Sequence, residues 1–379
     1  MRLYSLGKLH VELVLLDGEV EMKVADSGDM RLVESRGNIP TAPVALVFFN
    51  RPKFLTRTFE EVRRAQPSKL FLIQDGARPS HPGDSDRVDA CRVIAEDVDW
   101  DCEVFRNYSS ENLGTGRRMM SGLTWAFGFV NELIILEDDC LPAQDFFAFC
   151  SEVLRRYRDD SRIGMITGMN HLGSYDETNY DYLFATVGSI AGWATWKRVW
   201  DTVDESMSFL EDPEAIRLIR QAGQKRSAGR ELIKRGSWLK AQLLSGQSLT
   251  SWSYQRGISD YLNSRLIVVP RVNLMSNIGV GPDGVHTPDS LKKVPLASRF
   301  LYNLPLHSLG QPLRHPKYVV EDREYGRRVN RVMGRGPVAK VTRRIESVGR
   351  RIIFGESLID LLRGWVGRYA GRRASNRKR

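Results

Sequence analysis

Three consecutive carboxylates, Glu137-Asp138-Asp139, follow directly on the apolar run Leu133-Ile134-Ile135-Leu136. Hard oxygen donors on a short rigid run suit Mg2+ or Mn2+ bridging to a phosphate. Desolvating three unpaired carboxylates is too costly to tolerate, so they belong at the mouth of a strand, in water or against a cation. Strand alternation places Glu137 and Asp139 on one side and Asp138 on the other. A solvated acidic turn after a core strand fits these residues equally well. Asp75 closes a second apolar run, Lys69-Leu70-Phe71-Leu72-Ile73-Gln74. The loop Asn112-Leu113-Gly114-Thr115-Gly116-Arg117-Arg118 puts two cations in the first turn of a helix, against the helix dipole, so they are expected to face an anion. An ordinary glycine-bearing loop remains open there. Gly192-Trp193 offers close backbone approach beside a flat apolar face, suited to a sugar or a base. Core packing by Trp193, Trp196 and Trp200 is the competing reading.

The elements that must carry these residues alternate. Residues 44–49, 69–74, 102–106 and 133–136 read as buried strands. Helices are expected between them, at residues 54–62, 88–97 and 116–129. Such alternation predicts βαβ units and a parallel sheet, and in open parallel sheets ligands bind at the carboxyl ends of the strands. Both acidic signals, Asp75 and Glu137–Asp139, fall at strand C-ends. Further on, residues 145–157 and 252–263 read as helices, residues 163–168, 183–186 and 266–270 as strands, and residues 204–250 as mostly helical and charged. Residues 273–287 form a long glycine-rich stretch of the kind that serves as a lid. His286, within it, is either a phosphate contact or a packed surface residue.

The 379 residues carry a formal net charge of +10. Residues 335–379 contain 13 Lys or Arg against 3 Asp or Glu, so the rest of the chain is nearly neutral. A basic tail on a neutral body points to an acidic surface as partner and away from a nucleic-acid-binding fold. Apolar spacing at Val338, Val341, Ile345, Val348 and Ile352 gives the tail the composition of an interfacial amphipathic helix, or of a solvated helix with a disordered basic end. No apolar run reaches the ~18 residues of a membrane span. The N-terminus lacks the apolar core of a secretory signal. Cys91, Cys102, Cys140 and Cys150 show no metal or disulfide spacing, and are read as reduced thiols of a cytoplasmic protein. Residues 1–40 hold two short apolar pieces around Asp17-Gly18, the pattern of a small hairpin. The expected organisation is an N-terminal extension over 1–40, a main domain over 41–300, an irregular linker over 301–335 and the basic tail over 336–379.

Several separated motifs agree in order and spacing: Phe48-Phe49-Asn50-Arg51-Pro52, Gln74-Asp75-Gly76, the loop at 112–118, Leu136-Glu137-Asp138-Asp139, Gly192-Trp193, Ser251-Trp252-Ser253-Tyr254-Gln255 and residues 270–287. Over about residues 43–287 the chain resembles GT-A fold nucleotide-sugar glycosyltransferases. The likeness is to bacterial hemolysin- or lipopolysaccharide-associated sugar transferases and, more distantly, to the N-acetylglucosaminyltransferase I family. The resemblance implies a Rossmann-like α/β fold with a mixed, mostly parallel sheet flanked by helices. It implies that Arg51 and Asp75 contact the nucleotide, Asp75 through the base; Arg117 and His286 stand beside them as anion contacts read from their own positions. Glu137-Asp138-Asp139 stands as the DxD-like motif, Asp139 ligating Mn2+ or Mg2+ and Asp138 meeting the ribose or sugar. Gly192, Trp193 and Trp252 fall on the substrate side, and residues 273–286 close over the donor.

One position departs from the pattern. Relatives carry Trp-Asp-Tyr-Gln where this chain has Trp252-Ser253-Tyr254-Gln255. That aspartate is the general base of an inverting displacement, which serine does not replace near neutral pH. Asp260, about two turns along the same helix, could serve instead; otherwise the base lies elsewhere or transfer is weak. The expected activity is metal-dependent transfer of a sugar, from a UDP-sugar in the first instance, to a cell-envelope glycan or glycolipid, on the inner face of a membrane. The competing readings are a catalytically weakened nucleotide- or glycan-binding homologue and a sugar-phosphate nucleotidyltransferase.

Overall fold

The computed structural model describes residues 40–221, 226–245, 252–280 and 301–333, together with Val294, Arg299 and the strand backbones at 3–6, 9–16 and 19–25. His286, most of the expected lid and the basic tail lie outside the described residues. The chain divides into two compact units, Met1–Pro40 and Thr41–Arg379. In the first, β1 (Leu3–Leu6), β2 (Leu9–Leu16) and β3 (Glu19–Ala25) pair antiparallel in that order. Leu16 lies opposite Glu19.

The second unit opens with β4 (Val44–Phe48), α1 (Pro52–Ala65), β5 (Lys69–Gln74), α2 (Asp84–Glu96), β6 (Glu103–Tyr108), α3 (Gly114–Ala126) and β7 (Glu132–Glu137). A three-residue strand β8 (Cys140–Pro142), α4 (Gln144–Arg156), β9 (Ile163–Thr167), β10 (Tyr182–Ala185) and β11 (Trp193–Trp196) follow. The chain continues through α5 (Lys197–Trp200), α6 (Pro213–Gln221), α7 (Arg226–Leu244) and α8 (Trp252–Leu262). It ends, among the described residues, in β12 (Leu266–Pro270), β13 (Met275–Asn277) and α9 (Arg323–Val332).

Eight strands form one sheet in the order β10-β12-β9-β11-β7-β4-β5-β6. β7, β4, β5 and β6 run parallel, as do β9 and β12, whereas β11 is antiparallel to both β7 and β9. The fold is a Rossmann-like mixed α/β fold. The chain steps from β4 outward to β5 and β6, then returns to place β7 on the other flank of β4. The reversal opens a crevice at the C-terminal ends of β4 and β7, the position where open α/β sheets bind ligands.

Period-two alternation splits the core between the two faces of the sheet. Val44, Leu46 and Phe48 pack under Leu55, Phe59, Phe146 and Phe149. Ala45 and Val47 pack with Phe71, Met119, Leu123, Leu133 and Ile135 on the other side. Pro at the first position of α1 supplies a fixed φ where no backbone donor is needed. Leu55, Phe59 and Val62 then fall on its inner face at helical spacing. α6, α7 and α8 gather Ile219, Leu239 and Ile258 around Met207 and Phe209 in a smaller cluster.

The structure departs from sequence expectation in three places. Cys140–Pro142 is a strand, antiparallel to Met275–Asn277, with Asn277 opposite Cys140. Residues 275–277 therefore belong to a two-stranded sheet, where a continuous loop was expected. Residues 301–333 are no detached linker: Leu309 and Leu313 join the core, and α9 buries Tyr325 and Val329 against the sheet. Their apolar residues are too sparse for a periodic pattern to show. Among the described residues no helix is long and apolar enough to cross a membrane.

Candidate functional site

β7 ends at Glu137, and a tight turn through Asp138 and Asp139 leads into β8. The turn is pinned on both sides. The Asp138 amide donates to the Val47 carbonyl (3.1 Å), and the Ile278 amide donates to the Asp139 carbonyl (2.9 Å). The Thr58 hydroxyl, from α1, donates to the Asp138 carbonyl (3.0 Å). Because the strand ends at Glu137, strict alternation ends there as well, and all three carboxylates line one cavity. The expectation that Asp138 takes the opposite side is therefore corrected.

Arg51, at the start of α1, faces these acids. Its Nη1 donates to Asp139 Oδ2 (3.0 Å), its Nε to Asp138 Oδ2 (3.2 Å), and its Nη2 pairs with Asp138 Oδ1. Asp138 and Asp139 are 2% and 8% exposed, so the pair is shielded from water. Burial works against the Arg51 charge, but Asp138 and Asp139 outweigh it and raise its pKa. Burial, reinforced by Asp139 and Asp138 and opposed by Arg51, pushes Glu137 up to about 8. Burial also raises Asp138, against the pull of Arg51.

Asp75, just past β5, clamps the neighbouring loop. Oδ1 accepts from the amides of Leu113 (2.8 Å) and Gly76 (3.0 Å). Oδ2 accepts from the Gly114 amide (2.9 Å) and Asn112 Nδ2 (3.2 Å). The anion met by the α3 N-terminus is thus the protein's own Asp75. Burial raises its pKa, against the lowering effect of these amides and of Arg118. Asp75 lines the cavity, with both oxygens already engaged in holding the loop.

The cavity is about 490 Å³. Its lining includes Phe49, Arg51, Asp75, Arg78, Asn112, Gly114, Thr115 and Arg118 from the β4, β5 and β6 side. Glu137, Asp138 and Asp139 lie at the centre, with Met169, Ser189, Ile190, Ala191, Asn277, Leu301 and Tyr302 beyond. Arg118, the arginine that faces inward, is buried and donates through Nη2 to Asn107 Oδ1 (2.7 Å). Arg117, one step of about 100° around the helix, is exposed and outside the lining. Arg78 is held by Asp84 at 2.6 and 3.0 Å, and Asn50 also donates to Asp84 (2.7 Å). The Arg78 and Asn50 bonds hold Asp84 down at about 2 despite burial.

The remaining sequence candidates sit elsewhere. Trp193 and Trp252 are buried and stacked on each other, with ring centroids 5.7 Å apart. They form core behind the Ser189–Ala191 wall and do not line the cavity. Gly192 has φ +62°, and a Cβ there would stand 2.0 Å from the Met275 side chain. Its role is to let chain pass chain. Asp260 is buried, with Arg256 Nη2 at 2.9 Å and Arg265 Nη1 at 3.9 Å. It lies outside the cavity lining, as does Ser253. Its carboxylate faces two buried guanidinium groups.

Among the described residues no group of three or more His, Cys, Asp or Glu is arranged to hold a metal ion. The donor chemistry nevertheless suits a hard divalent cation. Asp139 Oδ2 is taken by Arg51, whereas Oδ1 has only the weak Cys140 thiol contact at 3.8 Å. Mg2+ commonly takes one or two carboxylates and completes its shell with water and substrate phosphate.

Arg78 and Tyr302 are absent from the sequence candidates; Arg118 enters there only as one of two cations facing an anion, and Asn277 only as part of the long glycine-rich stretch. The helical phase of α3 could have separated Arg118 from Arg117, since Arg118 leads into the inward-facing pair Met119 and Met120. Nothing local marks Asn277 or Tyr302, which reach the site only through the β8–β13 pairing.

No family model and no curated protein matches this chain. Among solved structures, a UDP-glucose pyrophosphorylase complexed with UDP-glucose is similar at 7% identity and a TM-score of 0.31, over 62% of this chain and 93% of that one. The inositol-1-phosphate CTP transferase from T. maritima is similar at 9% identity and a TM-score of 0.25, over 42% and 73%. At these values the likeness carries no argument about activity.

Proposed function

We propose that this chain is a nucleotide-sugar-dependent transferase. The observation that carries the reading is the meeting of Arg51 with Asp138 and Asp139 in the crevice between β4 and β7. The cation-and-carboxylate pair suits a diphosphate whose charge must be neutralised as it departs. Arg51 supplies a permanent positive charge with fixed planar geometry. Asp139 would hold Mn2+ or Mg2+, which supplies Lewis-acid neutralisation of the diphosphate. Asp75 holds residues 112–114 in place as the wall for the nucleoside.

Two reactions fit such a site. In glycosyl transfer the sugar–phosphate bond breaks and a nucleoside diphosphate leaves. The three-residue connection between β4 and α1 supports this reading, because it leaves no room for a glycine-rich loop around a triphosphate. In nucleotidyl transfer a sugar phosphate attacks the α-phosphate of a nucleoside triphosphate and pyrophosphate leaves. Arg78 and Arg118, two further arginines on the cavity wall, support this second reading. Among the described residues the carboxylates lining the cavity are Asp75, Glu137, Asp138 and Asp139, and of these the acid cluster is the candidate for side-chain deprotonation of an acceptor. We further propose that the basic tail holds the protein on the anionic inner face of a membrane, close to a glycolipid or envelope-glycan acceptor.

Calorimetric titration of UDP, GDP and their sugar conjugates, with and without Mn2+, tests the site. Metal-dependent binding of one nucleotide, lost in Asp139→Ala, is expected. Absence of binding to every nucleotide would sink the reading. Product analysis then separates the reactions: nucleoside diphosphate with a glycosylated acceptor, or pyrophosphate with a nucleotide-sugar. Deleting residues 336–379 should move the protein from membrane to soluble fractions, and unchanged fractionation removes the membrane proposal.

A further inference from the structure

The cavity is chemically divided along the sheet. The three arginines of the described lining, Arg51, Arg78 and Arg118, stand over β4, β5 and the start of α3. Beyond the acid turn, over β11 and β9, the described lining carries no charge: Met169, Ser189, Ile190, Ala191, Asn277, Leu301 and Tyr302. That half is rigidly built. The Ala191 amide donates to Ser189 Oγ (3.1 Å), and the Ser189 carbonyl accepts from Thr167 (2.8 Å). Asn277, at the end of β13, receives the Asn303 amide on its carbonyl (2.9 Å). Asn303 itself takes a left-handed φ of +54°, turning the chain sharply after Tyr302. Asn277 Oδ1 is used by the Gly279 amide (3.0 Å). Among the described residues its amide nitrogen and the Tyr302 hydroxyl have no hydrogen-bond partner, and both residues are half-buried. Two neutral groups with donors to spare, set beside a small apolar wall and next to the acids, match a neutral polyol with an apolar substituent. They do not match an anionic ligand, which would find no countercharge among the described residues of that half.

We infer that Asn277, Tyr302 and the apolar wall of Met169, Ile190, Ala191 and Leu301 form the glycosyl subsite. The subsite selects a neutral sugar with an apolar substituent, such as an N-acetyl or deoxy sugar, over a uronic acid. The inference rests on the nucleotide-sugar reading above.

The test is calorimetry on the full chain with Mn2+, using UDP, UDP-N-acetylglucosamine and UDP-glucuronic acid, and in parallel GDP, GDP-fucose and GDP-mannose. The N-acetyl or deoxy conjugate should bind tighter than the free diphosphate, and the uronic acid weaker. Tyr302→Phe removes one hydroxyl and should weaken the preferred conjugate by about tenfold, the worth of one hydrogen bond, while leaving the free diphosphate unchanged. Ala191→Leu fills the apolar wall and should weaken the same conjugate selectively. Equal loss for diphosphate and conjugate would assign Tyr302 to positioning of the acids and overturn the subsite. So would unchanged conjugate affinity in both variants, or preference for the uronic acid. Failure of either diphosphate to bind the wild-type chain would instead overturn the nucleotide reading, and this inference with it.

Discussion

Arg51 Nη1 lies 3.0 Å from Asp139 Oδ2, joining two residues 88 positions apart across the crevice between β4 and β7. The same guanidinium also engages Asp138, which is nearly buried. Removing one partner of such a pair leaves an uncompensated buried charge, at a cost of about 3–5 kcal/mol. Arg51→Ala should therefore lower stability by roughly 3 kcal/mol in urea denaturation. Arg51→Ala with Asp138→Ala should recover part of that loss, because the Asp138 charge is removed with its partner and only Asp139 is left unpaired. Equal destabilisation in single and double variants would show that the pair does not couple.

Asp139→Ala should abolish the metal dependence of nucleotide binding with little change in thermal midpoint, since Asp138 still pairs with Arg51. Stripping metal from the wild-type chain with a chelator should reproduce the loss. Calorimetry with and without Mn2+ reads both effects.

Gly279 packs directly on the acid turn. A Cβ there would stand 2.2 Å from Asp139 Oδ2, closer than atoms approach without displacement. Gly279→Ala should shift the Asp139 carboxylate and weaken nucleotide affinity by at least about tenfold, the equivalent of about 1.4 kcal/mol. Full affinity in this variant would show that Asp139 has room to move.

Asp84 links stability to pH. Its carboxyl stands at about 2 in the folded chain, against an ordinary value of 3.8, chiefly through its hydrogen bonds from Arg78. A depressed carboxylate contributes stability that is present above its unfolded pKa and lost as pH falls through the folded value. The contribution, about 2 kcal/mol from the shift, should disappear between about pH 4 and pH 2. In Asp84→Asn that increment of acid sensitivity should be missing from denaturation midpoints measured across this window.

Asp260 is ion-paired with Arg256 and Arg265, outside the described cavity lining. Asp260→Asn leaves Arg256 and Arg265 without a countercharge in the interior and should cost about 2–4 kcal/mol. Turnover per folded molecule should stay close to wild type. A loss of turnover by several orders of magnitude at retained stability would assign Asp260 as the base.

What the sequence determined by itself is the part of the fold that local pattern encodes. Val44–Phe48, Lys69–Gln74 and Glu132–Glu137 are continuous apolar strands because both faces of the sheet are covered. The alternation with helices follows from spacing alone. The placing of Asp75 and Glu137-Asp138-Asp139 at strand ends was legible for the same reason, because charge terminates a buried run. Which of these groups meet is another matter. Trp193 and Trp252 are as flat and apolar in a sugar site as in a core, and only their stacking decides between the two. Arg117 and Arg118 have the same chemistry, and the rotation of α3 against the sheet chooses Arg118. Asp260 carries a base's functional group, but the packing of α8 commits it to two arginines. Asn277 and Tyr302 carry no local signal, since the pairing that delivers them joins Cys140–Pro142 to a strand more than a hundred residues later. Hydrophobic period is a property of neighbours along the chain, whereas a site is a property of neighbours in space, and only the folded sheet sets those distances.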